Sequence, residues 1–202
     1  MTRIAPRRLL AALAAAALAA VLAVGVIELA SSRSSPSTGG LPPLTLPQVE
    51  GRLAGSPPAL AALHGQGSLV LTGGERALKA RLASLRGYPL VIDKWASWCV
   101  PCQSERPIFQ HASTNLGRRV AFLGIDSSDT SLADAQAFLR PFPVAYPSYY
   151  DPSGSLGLAV TDSSFTPVTV FYDRSGRQYI HQGPYPSLQK LERDVRRYAL
   201  DG

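Results

Sequence analysis

The chain contains two cysteines, and they stand three apart in Trp98-Cys99-Val100-Pro101-Cys102. A thiol pair at this spacing suits reversible disulfide exchange, half of a zinc site, or a static bridge. Zinc needs four ligands, and His64, His111 and His181 match no zinc spacing with the pair. A bridge that closes so short a loop removes little unfolded-state entropy, which argues against a purely structural role. A peroxidase centred on Cys99 would want threonine or serine three residues upstream, where Ala96 stands. Exchange is therefore the reading to develop. The pair falls where an apolar strand hands over to a helix. A helix that starts at Cys99 aims unsatisfied N–H groups and the positive end of its dipole at the sulfur. Both favour thiolate and lower the pKa below the free value of about 8.5. Cys102, one turn further in, is expected to be shielded, and Pro101 stiffens the ring.

Three ionisable residues bear on this pair. Asp93 lies in an otherwise apolar strand six residues before Cys99. An isolated buried carboxylate is costly and tends to take up a proton. Placed beneath the dithiol, it can accept the proton of Cys102 as a general base; the alternative is a strand-end aspartate hydrogen-bonded locally. Glu105, three residues after Cys102, shares its helical side and tunes the thiols or faces a partner; otherwise it is an ordinary first-turn charge. His181 reads as a hairpin residue.

The elements that must hold these residues are visible as changes of period. Glu75–Leu85 carries Leu78, Leu82 and Leu85 on one helical face, and Gly87 closes it. Tyr88–Trp95 is too continuously apolar for a half-wet sheet, which predicts a central strand covered on both faces. The next helix runs from the cysteines to about Leu116, with a bend expected at Pro107. Val120–Ile125 is a second buried strand. Ser131 caps a helix ending near Leu139, with Asp134 reciprocating. Val168–Tyr172 and Gln178–His181 form a hairpin through Asp173-Arg174-Ser175-Gly176. A last helix runs from Ser187 to about Tyr198. The order predicts a mixed α/β sandwich. No Gly-rich phosphate loop follows any strand, and no cofactor or metal is expected.

The 202-residue chain carries a formal charge of +6. Its basic residues are scattered, without an aromatic-interleaved stripe, so nucleic-acid binding is not indicated. Arg3, Arg7 and Arg8 precede Leu9–Ile27, an uncharged run of nineteen residues. As a helix it spans about 28 Å, close to the hydrocarbon thickness of a bilayer. The flanking arginines place everything after it outside the cytoplasm. Glu28-Leu29-Ala30 suits signal cleavage poorly, so a retained anchor is expected, with secretion after cleavage as the alternative. The expected organisation is residues 1–30 as membrane anchor or signal segment, 31–58 as a Pro/Ser/Gly-rich tether, and 59–202 as one domain. Leu44–Val49 could instead lie against the domain.

Trp95-Ala96-Ser97-Trp98-Cys99-Val100-Pro101-Cys102 resembles the active-site segment of thioredoxin-like proteins. The likeness is to the membrane-anchored or exported TlpA, ResA and CcmG (DsbE) branch, and it covers about Leu69–Leu200. The resemblance implies a thioredoxin-like three-layer α/β sandwich with a central mixed sheet, an exposed nucleophile at Cys99 and a buried resolving thiol at Cys102. It also implies that Glu105 tunes the dithiol and that Asp93 is the buried aspartate of thioredoxins. Lys94 departs from the pattern, standing where an aromatic is usual; if its side chain reaches the carboxylates, it partly offsets them. Thr166-Pro167 matches the cis-proline pair, and with Trp98 and Pro101 it is assigned to the substrate groove. Tyr146–Gly154 resembles the segment leading to that site. The implied function is an extracytoplasmic reductase of disulfides in exported proteins, supplied by a membrane thiol carrier. The haem-binding cysteines of apocytochrome c are one implied substrate. A disulfide-forming oxidant and a non-catalytic binding module are the alternatives.

Overall fold

The computed structural model describes residues 40–202. The expected anchor at Leu9–Ile27 and the first part of the expected tether lie outside the described residues. Among the described residues no helix is long and apolar enough to cross a membrane.

Strand β2 (Leu90–Trp95) organises the rest. All six of its residues are buried, and successive side chains point to opposite faces. Val91 and Trp95 enter one core cluster with Phe109, Leu191 and Val195, while Leu90 and Ile92 enter another with Leu60, Leu63 and Leu78. A strand buried on both faces must lie centrally, and the sheet order is β1-β4-β3-β2-β5-β6. β1 is Val70–Leu71, β3 Ala121–Ser127, β4 Ser148–Asp151, β5 Val168–Tyr172 and β6 Gln178–Gln182. β2 pairs in parallel with β3 and antiparallel with β5, so the mixed sheet expected from the element order is observed. One face is covered by α4 (Val100–Leu116) and by α7 (Leu188–Val195), which continues as a π-helical turn over Arg196–Leu200. The other carries α2 (Pro58–His64), α3 (Gly74–Ser84) and α6 (Ser155–Thr161). This is the thioredoxin-like α/β sandwich.

Close approach between β3 and its neighbours depends on Gly124. A Cβ there would stand 2.1 Å from Ser148 Oγ and 2.9 Å from Trp95 Nε1. The space it leaves lets the Trp95 indole donate to Ser148 Oγ at 3.1 Å.

Two expectations need correction. The tether is packed from Leu41 onward: Leu46–Leu53 forms helix α1, and Leu44, Val49 and Leu53 are buried. Gln110 of α4 grips this segment through both backbone groups of Leu44. Its Oε1 accepts from Leu44 N–H at 2.8 Å, and its Nε2 donates to Leu44 O and Pro143 O, each at 2.9 Å. Leu44–Val49 thus lies against the domain. Ser131 caps α5 (Leu132–Leu139) by accepting from Asp134 N–H at 3.2 Å, but the reciprocal bond from the Asp134 side chain is not made. Helix α4 reaches Leu116 as expected, with Pro107 inside it.

Candidate active site

Cys99 is the N-cap of α4, so the helix begins one residue later than the sulfur it serves. Its Sγ accepts from Cys102 N–H at 3.2 Å and is bonded to Cys102 Sγ in a disulfide. A backbone donor at the helix N-terminus therefore addresses this sulfur, as the strand-to-helix placement predicts. The expectation of an exposed Cys99 differs from what is seen. In the disulfide form Cys99 is only 3% exposed and Cys102 1%. Its sulfur turns inward onto the helix start, while Trp98 and Val100 on either side face solvent.

The turn that presents Cys99 is strapped to the segment between β3 and α5. Asp129 accepts from Ser97 N–H and from Ser97 O–H, each at 2.8 Å. The Trp98 indole donates to Ser128 O at 3.2 Å, and Gln103 Nε2 donates to Ser97 O at 3.1 Å. A carboxylate that accepts two bonds from one residue fixes both position and orientation. On the other side of β2, Lys94 pairs with Val168. Thr166-Pro167, a cis peptide, therefore lies just beyond that register, at the end of β2 from which the cysteine turn emerges. Exposed Phe165 precedes it.

Beneath the dithiol the structure assembles an ionic cluster. Asp93 is buried and forms an ion pair with Arg106, and it accepts from Tyr146 O–H at 3.0 Å. Arg106 also donates to Tyr146 Oη at 3.1 Å. Burial pushes the Asp93 carboxyl upward, and Arg106 and Tyr146 oppose that push. Glu105 lies one turn after Cys102 on α4 and is 1% exposed. Its Oε2 accepts from Tyr185 N–H at 2.8 Å, and its Oε1 is buried without a partner. Burial, then the charge of Asp93, raises its pKa to about 8. Glu105 is thus an interior acid, not a first-turn surface charge. His181 stands on β6 with its ring stacked on Tyr185 at 4.2 Å, and burial lowers its pKa.

Lys94 does not offset these carboxylates. Alternation along β2 turns it to the opposite face, where its Nζ donates to Ser163 O at 2.6 Å. Burial lowers its pKa while the charge of Asp151 acts the other way. Its stem passes over Gly157, where an added Cβ would stand 2.7 Å from Lys94 Cε. The compensating cation is Arg106, which the sequence reading missed. A signal for it exists: Arg106 is four residues after Cys102 and three before Phe109, hence on the buried stripe of an amphipathic helix. A charge there needs a partner, and Asp93 is the acid on the adjoining strand. Asp129 and Tyr146 were missed as well. Among the described residues no group of histidine, cysteine or acidic side chains is arranged to hold a metal ion.

Comparison with known proteins agrees with this geometry. The Thioredoxin family profile matches residues 75–145. The chain is 33% identical over 95 residues to the thiol:disulfide interchange protein DsbE of Pseudomonas fluorescens biotype C, covering 46% of this chain and 51% of that protein. It is 34% identical over 79 residues to the H-type thioredoxin of Chlamydomonas reinhardtii, covering 38% of this chain and 70% of that one. Among solved structures, MTB dsbF in mixed oxidised and reduced forms superposes with a TM-score of 0.52 at 30% identity, covering 56% of this chain and 83% of that one. A thiol–disulfide pair at a helix N-terminus, in this sheet order and with these relatives, leads to one assignment: the chain belongs to the thioredoxin family and is related to the DsbE-type oxidoreductases.

Proposed function

We propose that the protein is an extracytoplasmic thiol–disulfide oxidoreductase that reduces disulfides of exported proteins through Cys99 and Cys102. The observation that carries this reading is the Cys99 sulfur at the N-cap of α4, addressed by a backbone donor and bonded to the sulfur one turn further in. The reduced Cys99 thiolate attacks a substrate disulfide and forms a mixed disulfide. Cys102 then attacks Cys99 Sγ, and the substrate leaves as a thiolate carrying the two electrons of the dithiol. The Cys102 proton passes to a carboxyl beneath the pair, Asp93 or Glu105. Trp98, Pro101, Thr166 and Pro167 form the groove for the substrate backbone. A membrane thiol carrier restores the dithiol, since the surroundings outside the cytoplasm favour disulfides. Leu9–Ile27 is read as a single-pass anchor: its uncharged length and the arginines before it support the extracytoplasmic location. One fitting substrate is the oxidised haem-binding cysteine pair of apocytochrome c.

The direction of electron flow follows from how strongly the fold stabilises the Cys99 thiolate. The helix N-terminus acts in the oxidising direction, and buried carboxylates oppose it. The test is to equilibrate the full-length protein with glutathione or dithiothreitol buffers and to trap partners with Cys102→Ser. A potential near the thioredoxin end of the scale, about −270 mV, with oxidised exported proteins trapped, is expected. A potential near about −120 mV assigns the protein instead as an oxidant that inserts disulfides. Equal residual turnover in Cys99→Ser and Cys102→Ser would refute the mechanism, and a disulfide that no partner opens would leave a binding module.

A further inference from the structure

A guanidinium inside a protein is a charge that cannot be discharged, because arginine keeps its proton. Arg106 is 3% exposed. The rings of Trp95, Phe109 and Phe138 surround it at 5.6–5.8 Å, and its Nε and Nη1 have no hydrogen-bond partner. Aromatic faces attract a cation without neutralising it. Arg106 therefore needs one anion within this interior.

Two carboxyls face it, Asp93 from β2 and Glu105 from α4 itself. Tyr146, from the segment before β4, bridges Asp93 and Arg106. Behind Glu105 stand Tyr185, Asp194 and Lys190 around α7, and His181 on β6. One fixed cation compensates one carboxylate; a second buried anion has no counter-charge and is strongly disfavoured. Hydrogen bonds decide which carboxyl ionises. Asp93 Oδ2 receives both Arg106 and Tyr146. Glu105 receives one backbone N–H at Oε2, and its Oε1 is left open.

We propose that Arg106 holds the number of ionised carboxylates beneath the dithiol at one, fixing Asp93 as its standing counter-ion and keeping Glu105 as the protonated carboxyl that relays the proton of disulfide exchange. This rests on the redox reading of Cys99 and Cys102 given above. As Cys102 Sγ bonds to Cys99 Sγ, the bond from Cys99 to the substrate sulfur breaks. The substrate leaves with that electron pair and takes up the Glu105 proton, while the Cys102 proton restores the Glu105 carboxyl, so that one carboxylate stands throughout. The upward displacement of Glu105 toward about 8 agrees with this division and keeps it near the pH at which proton transfer is most effective. Arg106 is a positioning residue: it acts through Asp93 and Glu105.

Carboxyl carbon NMR of the oxidised full-length protein across the pH range tests the assignment without requiring turnover. The wild type is expected to show one buried carboxyl that titrates near pH 8 and is lost in Glu105→Gln. The Asp93 resonance should stay that of a carboxylate through neutral pH. In Asp93→Asn, Arg106 has only Glu105 left to ionise, so the Glu105 inflection should move acidward by about 1–3 pH units. Arg106→Lys keeps the cation and should keep the wild-type pattern. A Glu105 inflection unmoved by Asp93→Asn, or an Asp93 that takes up its proton near neutral pH in the wild type, would overturn the proposal. The wild-type titration decides even if Asp93→Asn does not fold. The Cys99/Cys102 potential is measured in parallel against glutathione. A pair that fails to cycle sinks the redox reading, while the NMR titration still settles the charge balance.

Discussion

Replacing Asp126 by asparagine isolates the energetic consequence of a single interior proton. Asp126 sits on β3 opposite Trp95, is fully buried, and as a carboxylate accepts no hydrogen bond at either oxygen. Burial above all, then Asp129, then Asp151, raises its pKa to about 9. In the unfolded chain the same carboxyl loses its proton near the ordinary value of about 3.9. Between those two pH values the folded state binds one more proton than the unfolded state. Stability therefore falls as pH rises through this window, by about 1.4 kcal/mol per unit, and levels off above about 9. Taken to pH 7, three units amount to about 4 kcal/mol, and local relaxation reduces this to about 2–4 kcal/mol. Asparagine has the same shape and no charge to lose. Asp126→Asn should match the wild type near pH 4 and exceed it by about 2–4 kcal/mol at pH 7. Urea unfolding without reductant, from pH 4 to 8.5, measures the difference. Glu105 also titrates in this range, but it does so in both proteins and cancels. Two stability curves that run parallel across the range would refute the argument.

Asp129→Ala removes the acceptor for Ser97 N–H and O–H, and is expected to cost about 1–3 kcal/mol in stability. It should also slow alkylation of reduced Cys99, with Asp129→Asn restoring part of both; unchanged alkylation in the alanine variant would show that the strap does not position the sulfur. Gln110→Ala removes two buried bonds to Leu44 and a part-buried one to Pro143 and should cost about 2–4 kcal/mol, with protease cleavage appearing between Leu41 and Thr45. Resistance equal to wild type would mean that the packed apolar side chains alone retain the segment.

The redox centre was legible because it rests on local features. Two cysteines at a strand-to-helix boundary, and a six-residue apolar strand before them, need no distant partner to interpret. The hairpin Val168–Gln182 followed from turn chemistry between two short apolar runs. Helices α1 and α2 were not legible because their prolines read as breakers. Pro47 lies in the first turn of α1 and Pro58 opens α2, and at those positions a missing N–H removes no helical bond. Helix α6 follows Gly154 and has only seven residues, too few to show a period. The cluster around Asp93 was half legible. That the strand buries an acid was evident, but its partners lie 13 and 53 residues away. Only the crossing of α4 over β2, and the return of the chain before β4, bring Arg106 and Tyr146 to it.

The two tryptophans, the only ones in the chain, sit on opposite sides of the solvent boundary. Trp95 is 1% exposed and stacked on Phe138 with ring centroids 4.7 Å apart, whereas Trp98 is 59% exposed and adjoins Cys99. Indole emission moves to longer wavelength in water, and a dissolved ionic quencher such as iodide reaches only rings at the surface. The native chain therefore carries two optical channels that can be separated without a label. Opening the disulfide changes the surroundings of Trp98 and is read in the iodide-accessible, red-shifted emission. A rearrangement around Arg106 alters the protected, blue-shifted emission of Trp95, so thiol chemistry and the charge cluster beneath it can be followed in one cuvette.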